Sequence, residues 1–223
     1  MLYSIPMTEK DHISSRAPSG AQPPGQERLM KKTLRLAVLG VSLLTAAAAF
    51  AAPARLEAGD ASINVAVALG NENSRAIDIY LKKGFDSWWS PGSFELRPQI
   101  YGGLGVWSKQ GHYEPPRDQR HRSWSRRNFA VYGAVGLEME YVGEWFRPYL
   151  GLYVGPSYIN DIHFVGRELG AHVLIHSRGD LGLRFGENFR HHFGLELTHY
   201  SNARTNKKND GLNNVGLTYG ISF

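Results

Sequence analysis

The residues best suited to chemistry lie near the C-terminal end, in His199-Tyr200-Ser201-Asn202-Ala203 and the later Asn209-Asp210-Gly211-Leu212-Asn213. A histidine next to a serine hydroxyl is the smallest arrangement that makes an oxygen nucleophile, because the imidazole takes the proton as the oxygen attacks a carbonyl. His199 and Ser201 continue the odd-numbered apolar series Phe193, Leu195, Leu197. On a strand every second side chain shares a face, so both residues point the way the leucines point and come within hydrogen-bond reach of each other. Polar groups on an apolar face carry a desolvation cost. The spacing alone also admits a plainer account, in which the two residues mark the edge of an apolar band.

That face exists only if the chain is built from strands, and after Ala52 one pattern recurs eight times. Segment one sets Ile63, Val65, Val67 and Leu69 against Asn64, Ala66, Ala68 and Gly70; segment four sets Phe129, Val131, Val135, Leu137, Met139 and Tyr141 against Ala130, Tyr132, Ala134, Glu138 and Glu140. Segment six opposes Ala171, Val173, Ile175, Leu181, Leu183 and Phe185 to His172, His176, Arg178, Asp180 and Arg184. Segment eight closes the chain with Val215, Leu217, Tyr219, Ile221 and Phe223. Alternation of this kind means that one face meets an apolar phase.

The opposite face carries full charges, among them Glu95, Arg97, Glu138, Arg178, Asp180 and Glu196. A soluble barrel turns its charges outwards, whereas a membrane barrel keeps a polar interior. Connections after segments two, four and six are short, while Trp107–Arg127, Gly155–Glu168 and Asn202–Gly211 are long, the asymmetry of periplasmic turns and outer loops. Trp88, Trp89 and Trp145 fall at the inner rim, and Trp107, Tyr113 and Trp124 near the outer rim, where amphipathic rings suit headgroup level. The expectation is an all-β fold, an eight-stranded antiparallel transmembrane β-barrel whose interior is filled by side chains. Pro98 is its weak point, since a proline lacks the N–H that a closed ladder uses. The active pair would then sit at the outer end of segment seven, at the level of the outer leaflet.

The front of the chain supports export. Met30 opens a basic stretch, Lys31-Lys32-Thr33-Leu34-Arg35, followed by an apolar run to Phe50 and the small-residue site Ala49-Phe50-Ala51, the layout of a cleaved signal peptide. We therefore read 1–29 as a polar leader or unused upstream start, 30–51 as a signal peptide and 52–223 as the barrel. The net charge of +5 comes largely from residues 1–51, with six basic and three acidic groups; the remainder has an excess of only two. That removes a nucleic-acid argument from charge. The absence of cysteine excludes thiol catalysis and thiolate metal sites.

The run His199-Tyr200-Ser201-Asn202-Ala203 with Asn209-Asp210-Gly211 resembles the signature of the lipid A 3-O-deacylases, the PagL-like outer-membrane family. In detail the resemblance covers roughly residues 193–223, and it extends over the mature region as an eight-strand pattern. It implies a serine esterase in the cell outer membrane, without metal or other cofactor, that releases the 3-hydroxyacyl chain ester-linked at position 3 of lipid A in lipopolysaccharide. By position, Ser201 would be the nucleophile and His199 the general base, with the Asn202 side-chain amide in the oxyanion hole. Arg204 stands where the family tends to have a glycine that supplies a backbone N–H, a group any residue but proline offers. Asn213 stands where the family commonly has a glutamate. It shares the lipid-facing parity of Val215, and its carbonyl can accept the imidazole N–H and fix the tautomer. It cannot stabilise the imidazolium as a carboxylate does. Asp210 is the nearest substitute acid, although in the loop, and parity turns Glu196 into the lumen.

Other clusters are less telling. Arg117, Arg120, His121, Arg122, Arg126 and Arg127 could meet lipid A phosphates or form a solvated loop. His172 and His176, read as sharing the lumen face of segment six, fit a buried polar network better than a metal site. A homodimer is compatible with these features. Two alternatives stand beside the esterase: a catalytically impaired structural or adhesive barrel on the same scaffold, and a pore, which eight strands leave little room for.

Overall fold

The computed structural model describes residues 61–109 and 125–223; the leader read at 1–29, the signal peptide read at 30–51 and most of the arginine-rich loop lie outside the described residues. Ten strands follow in chain order: β1 (Ala61–Gly70), β2 (Ser74–Gly84), β3 (Phe94–Lys109), β4 (Arg127–Tyr141), β5 (Arg147–Ile159), β6 (His163–Phe164), β7 (Arg167–Glu168), β8 (Val173–Phe185), β9 (His191–Ser201) and β10 (Leu212–Ser222). The eight long ones form a closed antiparallel barrel in which β10 returns to β1. The Phe223 N–H completes that seam by donating to the Ala61 carbonyl at 2.9 Å. β6 and β7 make a small hairpin inside the connection between β5 and β8.

The wall has the expected inversion. Val67, Leu152 and Leu197 are 54%, 64% and 60% exposed, while Glu138, Arg178, Asp180 and Glu196 are at most 4% exposed. Apolar side chains face outwards and charges face the lumen, as an apolar solvent outside requires. Buried charges persist only when paired, and here they are. Glu138 accepts from Lys82 Nζ at 2.8 Å, from Tyr153 Oη at 2.9 Å and from Arg184. Arg178 pairs with Asp180 at 2.5 Å and with Glu196 at 2.9 Å, and donates to Tyr80 Oη. Of the two histidines read into the lumen, His176 is there, 2.5 Å from Tyr101 Oη. His172 is not. It precedes β8, stacks on Tyr158 and bonds the Ile159 carbonyl through Nδ1 at 2.9 Å.

At the long-loop end an apolar plug closes the polar lumen. Phe164, Val165 and Leu169 from the β6–β7 connection pack with Trp107, Tyr200 and Leu212. Trp107 is therefore a correction to the outer-rim belt: it stands at that level but points inwards, 1% exposed, because it shares the odd parity of Tyr101 on β3. Trp88, Trp89 and Trp145 are exposed on the connections at the opposite end, as expected. Pro98 fits without a bulge. Its carbonyl accepts from Phe85 N–H at 3.1 Å, so its backbone edge faces the end of β2. In an extended strand the N and C=O of one residue point the same way, and β4 loses no ladder bond.

Candidate active site

Two adjacent strands and their neighbour bring the polar groups of the outer wall together. β9 carries His199 and Ser201, both on the lipid-facing side as parity requires, and Tyr200 between them is buried in the plug. The register sets His199 opposite Asn213 on β10 and opposite Ser177 on β8. His199 Nδ1 lies 2.6 Å from Asn213 Oδ1. An amide oxygen only accepts, so the ring must donate from Nδ1, which leaves Nε2 as the basic nitrogen. Nε2 has no partner among the described residues, and neither has the Ser201 hydroxyl.

The backbone around this pair is fitted to the ring. Gly211 has φ of +64°, and a Cβ there would stand 3.2 Å from His199 Cε1. Glycine supplies both the left-handed conformation and the close approach. Asn213 is held in turn by its N–H donating to Asn71 Oδ1 at 2.7 Å. Asp210, the nearest acid by sequence, faces away; its Oδ2 accepts the Glu168 N–H at 2.7 Å. Glu196 lies in the lumen against Arg178.

The two donors expected for an oxyanion are already engaged. Asn202 is 2% exposed, and its amide donates to the Leu169 carbonyl at 2.9 Å and the Lys208 carbonyl at 2.5 Å. Its Oδ1 accepts the Arg204 N–H at 2.9 Å, and its own N–H donates to Asn209 Oδ1 at 2.9 Å. Asn202 thus organises the loop that follows the serine. Within that loop Ala203 and Arg204 have φ of 49° and 63°, which accounts for a glycine preference at the Arg204 position.

Ser177 is the residue that motif reading passes over. Directly opposed residues on antiparallel strands have Cα atoms about 4.5–5.5 Å apart, whereas residues two apart on one strand are separated by about 7 Å. The backbone therefore brings Ser177 nearer to His199 than it brings Ser201. Odd parity on segment six could have located Ser177, but only cross-strand register joins it to His199. Below these residues a furrow runs along the outer wall. Ser177 and Gly179 form its floor, Leu152 and Leu197 its sides, and His199 and Asn213 its head. A Cβ on Gly179 would meet only Leu152 Cδ2, at 3.7 Å, so the space there is open. An extended hydrocarbon chain suits a trough of this shape and polarity.

Comparison with known proteins identifies the family. Residues 76–222 match the family model described as Lipid A 3-O-deacylase (PagL). Lipid A deacylase PagL of Pseudomonas aeruginosa is 25% identical over 193 residues, which is 86% of this chain and 99% of that protein. The crystal structure of the outer membrane enzyme PagL superposes with a TM-score of 0.61 at 21% identity, covering 73% of this chain and 99% of that one. That likeness supports the barrel, and the family match spans Ser177, His199, Ser201, Asn202 and Asn213. This outer-membrane β-barrel belongs to the lipid A 3-O-deacylase (PagL) family.

Proposed function

We propose that the chain is a lipid A deacylase that hydrolyses the ester holding the 3-hydroxyacyl chain at position 3 of lipid A, with Ser201 as nucleophile and His199 as general base. The observation that carries this reading is the 2.6 Å contact of His199 Nδ1 with Asn213 Oδ1, which fixes the ring with its basic nitrogen on the lipid-facing side it shares with Ser201. His199 Nε2 takes the Ser201 proton as Oγ adds to the ester carbonyl. The ring then returns that proton to the departing sugar oxygen, leaving an acyl-serine. Water attacks the acyl-serine by the same route, and a free 3-hydroxy fatty acid leaves.

Asn202 acts in this scheme through the loop rather than by touching the oxyanion. The hydrogen bonds of its side chain and N–H hold the turn after the nucleophile. The Ala203 N–H, which has no partner among the described residues, is the donor nearest Ser201 in the chain that the geometry leaves for it. The furrow over Gly179 seats the acyl chain.

The test is mass spectrometry of lipid A from cells expressing the protein and its Ser201→Ala and Ser177→Ala variants. The unaltered chain should remove one 3-hydroxyacyl group. Ser201→Ala should abolish the loss, and Ser177→Ala should slow it without abolishing it. The reverse pattern would make Ser177 the nucleophile. Intact lipid A with every folded, surface-located variant would favour the structural or adhesive barrel, a reading that Asn213 in place of an acid keeps open.

A further inference from the structure

The loop after the nucleophile curls round a polar hollow lined by Arg204, Thr205, Asn206, Lys207, Lys208 and Asp210. Its cations are exposed. Lys208 approaches Glu168 at 3.9 Å, while Arg204 and Lys207 have no ion-pair partner among the described residues. Of the acids nearby, Asp210 is engaged by the Glu168 N–H, and Glu72 pairs with Arg167 on the neighbouring rim. The hollow therefore presents positive charge.

Arg204 adds an energetic argument. At φ of 63° it holds a conformation that costs a side-chain-bearing residue about 1–2 kcal/mol and glycine nothing. No contact of its guanidinium within the described residues offsets that cost. Strain of this kind clusters at functional positions, and the described residues offer the Arg204 guanidinium no hydrogen-bond or ion-pair partner. Only two residues lie between Ser201 and Arg204, so whatever it binds is carried close to the ester.

Building on the deacylase reading, we propose that Arg204, Lys207 and Lys208 form a seat for the phosphate at position 1 of the glucosamine whose position 3 bears the scissile ester. The two positions are 1,3-related on one pyranose ring, and Ser201 and the first cation of the hollow are separated by only two residues in the loop. Guanidinium and ammonium groups supply charge-assisted hydrogen bonds to a phosphate. The seat would set the sugar's register so that the 3-ester falls on Ser201.

The experiment is internal competition in mixed detergent micelles between bisphosphorylated lipid A and its mild-acid product, which lacks the position-1 phosphate. The unaltered protein should prefer the bisphosphorylated substrate by about tenfold in kcat/KM, the size of one or two charge-assisted contacts. Arg204→Gln and the double change Lys207→Gln with Lys208→Gln should bring the ratio towards one, while Lys207→Arg keeps it. Equal cleavage of both substrates, or a preference that survives loss of the charges, overturns the seat. The same pair of lipids is also titrated against the Ser201→Ala protein for binding alone. Phosphate-dependent binding without turnover by the unaltered chain would sink the deacylase reading and leave the seat standing; binding indifferent to the phosphate would remove the seat whatever the turnover. If inorganic phosphate binds as tightly as the lipid, the hollow is a free-phosphate site and the headgroup assignment fails.

Discussion

His199 is oriented by a neutral amide, and that choice limits what the residue can do. Asn213 Oδ1 fixes the tautomer as well as a carboxylate would, at 2.6 Å, but it adds no charge to balance the imidazolium that the proposed mechanism forms as Ser201 loses its proton. Asn213→Glu should therefore raise kcat by at least about tenfold with little change in KM, because a charge that appears only in the transition state affects kcat. Steady-state assay on lipid A micelles reads this, and an unchanged kcat would mean that proton transfer does not limit turnover. Arg204 offers a second test at this scale. With φ of 63°, Arg204→Gly should raise stability by about 1 kcal/mol, measured by urea unfolding in detergent. The same variant should lose the phosphate preference, separating strain from binding. The sequence made His199, Ser201 and Asn213 legible because all three obey one parity. It could not show that the Asn202 amide is engaged by the Leu169 and Lys208 carbonyls, or that the Arg204 N–H is taken by Asn202 Oδ1, since the folded loop sets those contacts.

Single strands were read well where alternation is long and poorly where structure is short. Charges on segments three, four, six and seven mark one face, the export signal and aromatic placement point that face inwards, and the barrel buries Glu138, Arg178, Asp180 and Glu196 in its lumen. The two-residue strands β6 and β7 have no periodicity to detect, although they deliver Phe164 to the plug. Trp107 was assigned by its nearness to a loop, but the strand's parity decides its direction, and rim level says nothing about face. Gly179 shows what an element contributes to specificity. It is the gap in the outward row of β8, between Ser177 and Leu181. Gly179→Leu should fold, since a Cβ meets nothing closer than 3.7 Å. It should lower kcat/KM for long acyl chains by about tenfold, the scale of a few blocked methylenes, and affect short-chain esters much less. Equal loss across chain lengths would place the acyl chain elsewhere.

Across the whole molecule, stability and chemistry are separated by the barrel wall. The lumen holds its charges in closed sets: Glu138 is shared by Lys82 and Arg184, and Arg178 by Asp180 and Glu196. Removing Glu138 leaves the buried Lys82 ammonium without an acid, while Arg184 keeps Glu140. Glu138→Ala should destabilise the barrel by about 3–5 kcal/mol, seen as a lower urea midpoint. Activity per folded molecule should be nearly unchanged, because Glu138 lies on the opposite side of the wall from Ser201. A large loss of specific activity at full folding would show that lumen and outer face are coupled.

The seam between β10 and β1 has a consequence for timing. The acceptor for His199 is on β10, the last strand to be made, and Phe223 at the chain's end bonds back to Ala61. Until β10 pairs with β9, His199 and Ser201 lack the neighbour that aims the ring. The proposed hydrolytic centre is thus assembled by the same zippering that closes the cylinder, so in that reading competence arrives only when the barrel is complete.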